Sequence, residues 1–463
     1  MEGYKGMSAE KEFLRSERQR WDRMNPGSRA LYERACRVIP SGSTRLSTFY
    51  RPYPAYIARG EGSHVWDVDG NERVDNFFNA AVLICGHNHP RIMKAVEAQL
   101  ACGTVLGGPT EVEVEMAEVL VERWPSAEMV RFTSTGSEAI LQACRVARSY
   151  TGKEKIGKFE GSYHGCWDAV DISVAPPLEK AGPPVNPNSV RQHEGIPEGV
   201  LRNTITMPYN DAEAAAEAIR RHADELAAVV VEPAASFCSV LPREGFLEAV
   251  REVTERYGIV LVFDEIVSQG VSPGGAQKLF GVTPDITTLG KLIGGGFPIG
   301  ALVGREEIME PVLRLPESGS PRLSFSGTYN AFPVTMAAGI ATHELLTPDT
   351  YERMDKLSKE VQAGLRRTLG GLGIETHVGG LGRHYNISWT KEAHVDYRSR
   401  AAAAPRIASH LQLAMLNRGV HRPGILCSVT TREDVKKILG AFEESLTALK
   451  PVVREVAPHL ISE

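Results

Sequence analysis

From Ala9 to Met24 the chain alternates acidic and basic side chains around a sparse apolar stripe of Phe13, Leu14, Trp21 and Met24. That spacing predicts a helix, either a solvated one or one packed on a partner subunit. Residues 40–54, PSGSTRLSTFYRPYP, are turn-rich and carry Arg45 and Arg51. The following stretch, YIARGEGSHVWDVDGNERVDNF, alternates apolar and polar positions around Gly60-Glu61-Gly62 and Asp69-Gly70, the pattern of a β-meander. From Glu111 to about Asp285, strand-like and helix-like patterns take turns, as in a doubly wound α/β sheet. Helices are predicted at 111–123, 137–150, 211–225 and 245–257, with strands at 129–133, 155–159, 228–232 and 259–263. Between Gly165 and Asn203 lies an insertion with six prolines and no period, the kind of segment that forms a lid or stays disordered. Beyond Tyr329 the pattern is helical to Leu346 and again from Tyr351 to Leu372. Short strands near 384–389 and 425–429 and a helix over Glu433–Leu449 then predict a separate α+β lobe.

Composition narrows the class. A chain of 463 residues can bury a large core and divide into two domains. Lys plus Arg is 52 against 57 Asp plus Glu, a net charge of −5 with no long basic stripe, which argues against nucleic acid or an acidic membrane as partner. Seven cysteines without a CxxC pair suit free thiols in a reducing compartment. The N-terminus shows no apolar export core, and no apolar run approaches the ~20 residues of a bilayer span, so a soluble cytoplasmic protein is expected. GHNHP (86–90) has no Cys or third His at a matching spacing; a turn before a helix over Arg91–Leu100 is expected, and no metal.

The chemistry concentrates between Ile259 and Arg305. An apolar strand, Ile259 to Phe263, ends on Asp264, and a short strand from Asp285 to Leu289 delivers Lys291 into a glycine-rich turn. In open parallel sheets, ligands sit beyond the carboxyl ends of the strands, so both groups are expected to point into one pocket. A Lys that can bond an aldehyde, opposite an Asp that can protonate a pyridine nitrogen, is what pyridoxal phosphate requires. Gly294, Gly295 and Gly296 would let the backbone approach a ligand. A salt-bridged pair beside an ordinary glycine turn is the plain alternative.

Three further stretches bear on the same pocket. The strand MVRFT runs into Ser134-Thr135-Gly136-Ser137-Glu138 at a helix start, where free N–H groups and hydroxyls make an anion cradle or simply a helix cap. FEGSYHG places Tyr163 and His164 at the end of the next strand, where an aromatic can stack on a pyridine ring or serve as ordinary core. Ile266, two residues beyond Asp264, would press on the opposite ring face.

The string with DE, GGAQ, FGV, TLGK and GGGFPIGALVGR resembles the cofactor-lysine signature of class III (fold type I) pyridoxal-phosphate aminotransferases. The resemblance implies an α/β fold: a large domain with a mostly parallel central sheet flanked by helices, plus a smaller α+β domain from both chain ends. The expected boundaries are 1–75 for the N-terminal segment and part of the small domain, 76–335 for the large domain and 336–463 for the C-terminal small domain. It also implies that Thr135, Gly136 and Ser137 form the phosphate cup, with Thr135 where Ser is more usual. By the same likeness the aromatic of YHG stacks on the ring, Glu232 of VEPAAS lies near the cofactor oxygen as a structural residue, and Gly327 and Thr328 of SFSGTYN reach the phosphate of a neighbouring subunit. A homodimer with shared active sites would follow.

Lys291 would then hold the cofactor and act as general base, and Asp264 would keep the ring nitrogen protonated. The implied reaction is ping-pong transfer of an amino group from a small-molecule amino donor to a keto-acid acceptor. GTVLGGPTEVEVEMAE (103–118) and GIPEGVLRNTITMPYND (195–211) resemble glutamate-1-semialdehyde aminomutase, while the segments from NPGSRALYERA to YIARGEG resemble β-phenylalanine and other β-amino-acid aminotransferases. In both groups an Arg at the place of Arg45 is a candidate for the substrate carboxylate. Arg422 in HRPGILCSV, which replaces the aminomutase's glutamate-bearing segment, is a second, or else a lid on a different substrate. Ser268-Gln269-Gly270-Val271 stands where many relatives carry TGFR. The leading expectation is an aminotransferase of β-amino acids or related carboxylated amines. An aminomutase or racemase with the same site, or a non-catalytic protein that kept the fold, are the alternatives.

Overall fold

A computed structural model describes residues 8–314, 322–422 and 424–462, and these divide into two compact units. One comprises the chain up to His89, Glu352–Ala393 and the chain from Ala403; the other comprises Pro90–Tyr351 and His394–Ala402. The sequence reading puts the divisions at 75/76 and 335/336.

In the first unit β1 (Ile57–Glu61), β2 (His64–Asp67) and β3 (Glu72–Asp75) form the expected antiparallel meander, and the two-residue strand Val420–His421 joins β3 in parallel. Val361, Leu365, Ile438, Phe442 and Leu446, on two helices of 24 and 25 residues, make much of its core. The N-terminal helix Ala9–Met24 turns its apolar stripe inward and leaves most of its charged residues exposed. Its apolar stripe is too well spaced to stay in water: Phe13 joins this core and Trp21 is fully buried with Tyr53. Of the strand expected at 425–429 only a single antiparallel bridge from Ile425 to His384 forms; Leu426 and Cys427 are buried coil, and the pairing with β3 is made by Val420–His421. A helix at Pro405–Asn417 had no counterpart in the sequence reading.

The second unit is built on seven strands: β4 (Met129–Thr133), β5 (Lys155–Phe159), β6 (Thr204–Met207), β7 (Leu226–Val231), β8 (Val260–Asp264), β9 (Ile286–Gly290) and β10 (Gly300–Gly304). Their order is β4-β10-β9-β8-β7-β5-β6, parallel except for β10, which runs antiparallel to both neighbours. Every residue of β7, β8 and β9 is buried, so β7 and β8 read as apolar runs rather than alternating ones, while β9 buries Thr287 and Thr288 among its apolar residues. Val229, Val231, Leu261 and Phe263 face helices Ala212–Arg221 and Phe246–Arg256 on one side. Ala228, Val230, Val260 and Val262 face helix Gly136–Thr151 on the other. The α/β class and mostly parallel sheet are as expected.

The glycine-rich turn hides two features. GALVG is itself the strand β10, and a Cβ on Gly300 would lie 2.1 Å from the Thr135 carbonyl oxygen, so only glycine lets β10 pass there. Gly295 has φ +60, and a Cβ on it would lie 2.5 Å from the Ala338 carbonyl oxygen of helix Pro333–Leu345. Gly295 thus serves close helix packing rather than the approach of a ligand.

The 165–203 insertion has little regular structure, yet it is internally bonded: Ser173 N–H donates to the Val190 carbonyl at 2.6 Å and Asn188 N–H to Ala181 at 2.9 Å. The segment His394–Ala402 is tied to it. Tyr397 Oη donates to the Pro176 carbonyl at 2.7 Å, and Arg398 donates to Gly182 at 2.8 Å and Ala181 at 3.0 Å.

Candidate active site

Asp264 ends β8 and Lys291 follows the last residue of the adjacent, parallel β9. Both therefore leave the same edge of the sheet. Asp264 is buried, with Oδ2 2.8 Å from His164 Nδ1 and Oδ1 accepting from the Ile266 N–H at 3.1 Å. His164 is buried too, and its Nε2 has no hydrogen-bond partner among the described residues. Burial holds the imidazole below its ordinary value, while the Asp264 carboxylate acts to raise it.

Lys291 adopts φ 51, a left-handed conformation uncommon for a side chain that is not glycine, asparagine or aspartate. The turn is clasped from the Asp264 side. Gln269 Nε2 donates to the Gly290 carbonyl at 2.6 Å and to the Ile266 carbonyl at 3.0 Å. Lys291 Nζ lies 5.2 Å from the centre of the Phe237 ring, which stands on a left-handed turn after β7.

Glu265 explains why DE and GGAQ belong together. Its buried carboxylate accepts from the N–H groups of Ala276 and Gln277 and from Gln277 Nε2 at 2.9 Å, so it caps the short helix Gly275–Phe280. A Cβ on Gly275 would lie 2.3 Å from Glu265 Oε2, which leaves only glycine at that position. Gln277 also receives the Ser126 N–H and donates to Thr287 of β9, bracing the strand that leads to Lys291. Burial pushes the Glu265 carboxyl up to about 7 despite these donors.

The helix start after β4 lies beside the lysine turn. Gly290 approaches Gly136, since a Cβ on Gly290 would be 3.5 Å from Gly136 Cα and 3.7 Å from its N. A Cβ on Gly136 would in turn lie 2.5 Å from Ile266 Cδ1, so Ile266 covers the helix start. Thr135 caps the helix: its Oγ1 accepts from the Glu138 N–H at 3.2 Å, while Glu138 returns a bond to Thr135 N–H at 3.1 Å. That capping box uses the Thr135 hydroxyl and the Glu138 N–H, which leaves the Gly136 and Ser137 N–H groups as the ones a helix start offers an anion. A Cβ on Gly165 would meet Ser137 Oγ at 2.3 Å, which brings the YHG turn against the same helix start.

Tyr163 is exposed, and its backbone N–H donates to Glu232 Oε2 at 3.2 Å. Glu232 lies just beyond β7, and burial together with Asp264 pushes its carboxyl up to about 8. Below the turn the fully buried Lys158 donates to the Ser162 carbonyl at 2.8 Å and to the Ile172 carbonyl. Burial lowers its amine to about 7.

Thr135, Gly136, Ser137, Tyr163, His164, Glu232, Asp264, Ile266 and Lys291 thus gather at one edge of the sheet. Gly327 and Thr328 are exposed in the coil and turn before helix Pro333–Leu345. Arg45 and Arg422 belong to the other unit, where Arg45 Nη2 donates to Asn79 Oδ1 and the Arg422 guanidinium sits 4.5 Å over the Phe77 ring. Burial lowers the Arg422 guanidinium below its usual value, Tyr50 raises it, and the Arg45 charge lowers it further. Its Nη1 is buried without a hydrogen-bond partner among the described residues. Neither spacing nor residue type in the chain signals Phe237 beside the lysine or the Gln269 clasp. No group of three or more His, Cys, Asp or Glu that could hold a metal occurs among the described residues.

A helix start for a phosphate, an oriented buried carboxylate and a lysine on the neighbouring strand end fit pyridoxal phosphate in charge and chemistry. The comparisons agree. The profile of the family Aminotransferase class-III matches residues 47–425. Glutamate-1-semialdehyde 2,1-aminomutase of Methanothrix thermoacetophila is 42% identical over 79% of this chain and 83% of its own length. Among solved structures, an omega-transaminase from Sphaerobacter thermophilus superposes with a TM-score of 0.87 at 40% identity, covering 91% of this chain and 97% of that one. A β-phenylalanine aminotransferase from Variovorax paradoxus gives 0.85 at 30% identity, covering 95% and 98%. The chain therefore belongs to the class-III aminotransferases, pyridoxal-phosphate enzymes that act on small-molecule amino and keto substrates.

Proposed function

We propose that this enzyme moves an amino group from a β-amino acid or related carboxylated amine to a keto acid, by a ping-pong mechanism through Lys291. The observation that carries the chemistry is the placement of Asp264 and Lys291 on adjacent parallel strand ends, with Asp264 oriented by His164 at 2.8 Å. Bound pyridoxal phosphate supplies an aldehyde that bonds amines and a ring that absorbs the electrons left on the substrate carbon. Gly136 and Ser137 bind its phosphate through the first-turn N–H groups, and Thr135 shapes that turn. Asp264 holds the proton on the ring nitrogen, and His164 fixes the carboxylate for that task. Tyr163 and Ile266 would pack against the cofactor ring, and Glu232 holds the Tyr163 backbone in place. Lys291 would hold the cofactor, and its amine would carry a proton away from the substrate carbon.

Arg45 and Arg422 supply the substrate preference in this reading. Each guanidinium is within electrostatic reach of the other, and neither has an ion-pair partner among the described residues. An anionic carboxylate suits such a pair. The omega-transaminase and β-phenylalanine aminotransferase likenesses support the same class of donor. Gly327 and Thr328 are read as reaching the phosphate of a second copy, which makes the enzyme a homodimer with shared sites. All seven cysteines are free, which suits a cytoplasmic location, and no helix among the described residues is long and apolar enough to cross a membrane.

An aminomutase using the same site is favoured by one observation, the 42% identity to an enzyme of that name. A screen of amino donors against pyruvate and 2-oxoglutarate separates the two. Turnover that needs both a β-amino donor and an acceptor supports the transfer reading. Turnover of one substrate without any acceptor overturns it in favour of an isomerase.

A further inference from the structure

The short helix Tyr397–Ala401 comes from the C-terminal third of the sequence but belongs to the unit that carries Lys291. Asp396 and Ser399 cap it reciprocally, at 2.7 Å through the Ser399 N–H and 3.1 Å through the Asp396 N–H. It is clamped against the FEGSYHG turn. A Cβ on Gly161 would lie 2.4 Å from Tyr397 Cβ, and Gly161 is two residues from Tyr163, whose N–H is bonded to Glu232. Asn210 Nδ2 adds a bond to the Val395 carbonyl at 2.7 Å.

The two arginines of this helix are used differently. Arg398 is saturated: it grips the Glu160 carboxylate through Nε at 2.8 Å and Nη2 at 3.0 Å and also donates to two carbonyls. Arg400 is half-buried, with its guanidinium 5.8 Å from the centre of the Tyr397 ring, and its side chain makes no ion pair or hydrogen bond among the described residues. Burial lowers it from the usual arginine value, and Glu232 is the acidic group that opposes this. Glu232 in turn feels Asp264 and Lys291. By geometry the cation lies against the Tyr397 ring, and Tyr397 is packed on Gly161 at the start of the turn whose Tyr163 N–H is bonded to Glu232, so it stands on a support fixed at several points. A desolvated guanidinium with its fork unfilled is matched by a carboxylate.

We propose that Arg400 is a specificity residue that receives the second carboxylate of a dicarboxylic acceptor, through the fork left free beside Tyr397 and the turn that carries Tyr163. This rests on the amino-transfer reading for the choice of acceptor, not for the binding itself. A dicarboxylic keto acid would be held at Arg400, and a monocarboxylic one such as pyruvate would not reach it.

The test uses the holoenzyme. Binding of glutarate and of butyrate is measured by calorimetry, and KM for 2-oxoglutarate and pyruvate is measured in the acceptor half-reaction. Arg400→Gln should weaken glutarate binding and raise KM for 2-oxoglutarate about 10- to 150-fold, the range for one lost charge-assisted bond. Butyrate and pyruvate should change by less than about 2-fold. Arg400→Lys keeps the charge and should restore part of the loss; it also serves as the test should the Gln variant not fold. Equal losses for the mono- and dicarboxylates, or wild-type enzyme that binds glutarate no better than butyrate, would overturn the proposal. Selective glutarate binding in an enzyme that transfers no amino group would leave Arg400 assigned and sink only the transfer reading.

Discussion

Asp264 and His164 are separated by 100 positions in the chain, yet Oδ2 of one lies 2.8 Å from Nδ1 of the other with both side chains buried. An isolated buried carboxylate is costly, and this pairing fixes its orientation at the end of β8. In the proposed mechanism the orientation matters because the other face of the carboxylate holds the proton of the ring nitrogen. Asp264→Asn keeps the shape and loses the charge. Proton abstraction in single-turnover experiments should slow by at least ~10²-fold, about 2.7 kcal/mol of barrier, and a rate near wild type would refute the role.

Lys291→Ala should leave a folded protein that retains the helix start at Gly136 and binds the cofactor weakly and noncovalently. The complementary measurement is on wild type: borohydride reduction of the holoenzyme followed by peptide mapping should label Lys291. A label on Lys158 or any other lysine would remove the assignment.

Arg45 tests the donor class. A β-amino acid carries its carboxylate one carbon further from its amine than an α-amino acid does. Arg45→Ala should remove a charge-assisted bond worth roughly 1.5 to 3 kcal/mol, lowering kcat/KM for carboxylated donors ~10- to 150-fold while sparing simple amines. Equal losses for both donor types would make Arg45 structural and leave the anchor to Arg422.

Glu265 gives a pH dependence with a defined sign. Its carboxyl is pushed from 4.5 up to about 7 by burial, so between those values the folded state holds a proton that the unfolded state has lost. Its contribution to stability is therefore fully present below about 4.5 and is lost as pH rises to about 7. Glu265→Gln loses an acceptor for the Ala276 and Gln277 N–H groups and should be the less stable protein at pH 5. The gap should narrow by on the order of 2 kcal/mol by pH 7.5. Denaturant titrations of both proteins at the two pH values check this, and a constant gap would count against it.

Asp264, Lys291 and the sheet that carries them were legible from the chain because strands buried on both faces, such as VLVFD, read as unbroken apolar runs with a charged residue at the end. The helix start at Gly136 was legible for a similar local reason, a capping sequence directly after a strand. The Thr135 hydroxyl, open to two readings in sequence, is committed to Glu138 by geometry that the residue types alone allow but do not require. Tertiary structure decided everything that depends on distant segments meeting. GALVG has two glycines and little to mark it as a strand, and it becomes β10 only because β4 and β9 leave a slot that needs Gly300. The helix at Tyr397–Ala401 joins the Lys291 unit through Glu160, Pro176 and Asn210, bonds between segments some 185 to 238 positions apart. Periodicity reports only which way a side chain faces within its own element. Which element it meets is set by packing across the whole chain, and that is why the Asp264–His164 pair, Phe237 beside Lys291 and the free fork of Arg400 came from the fold alone.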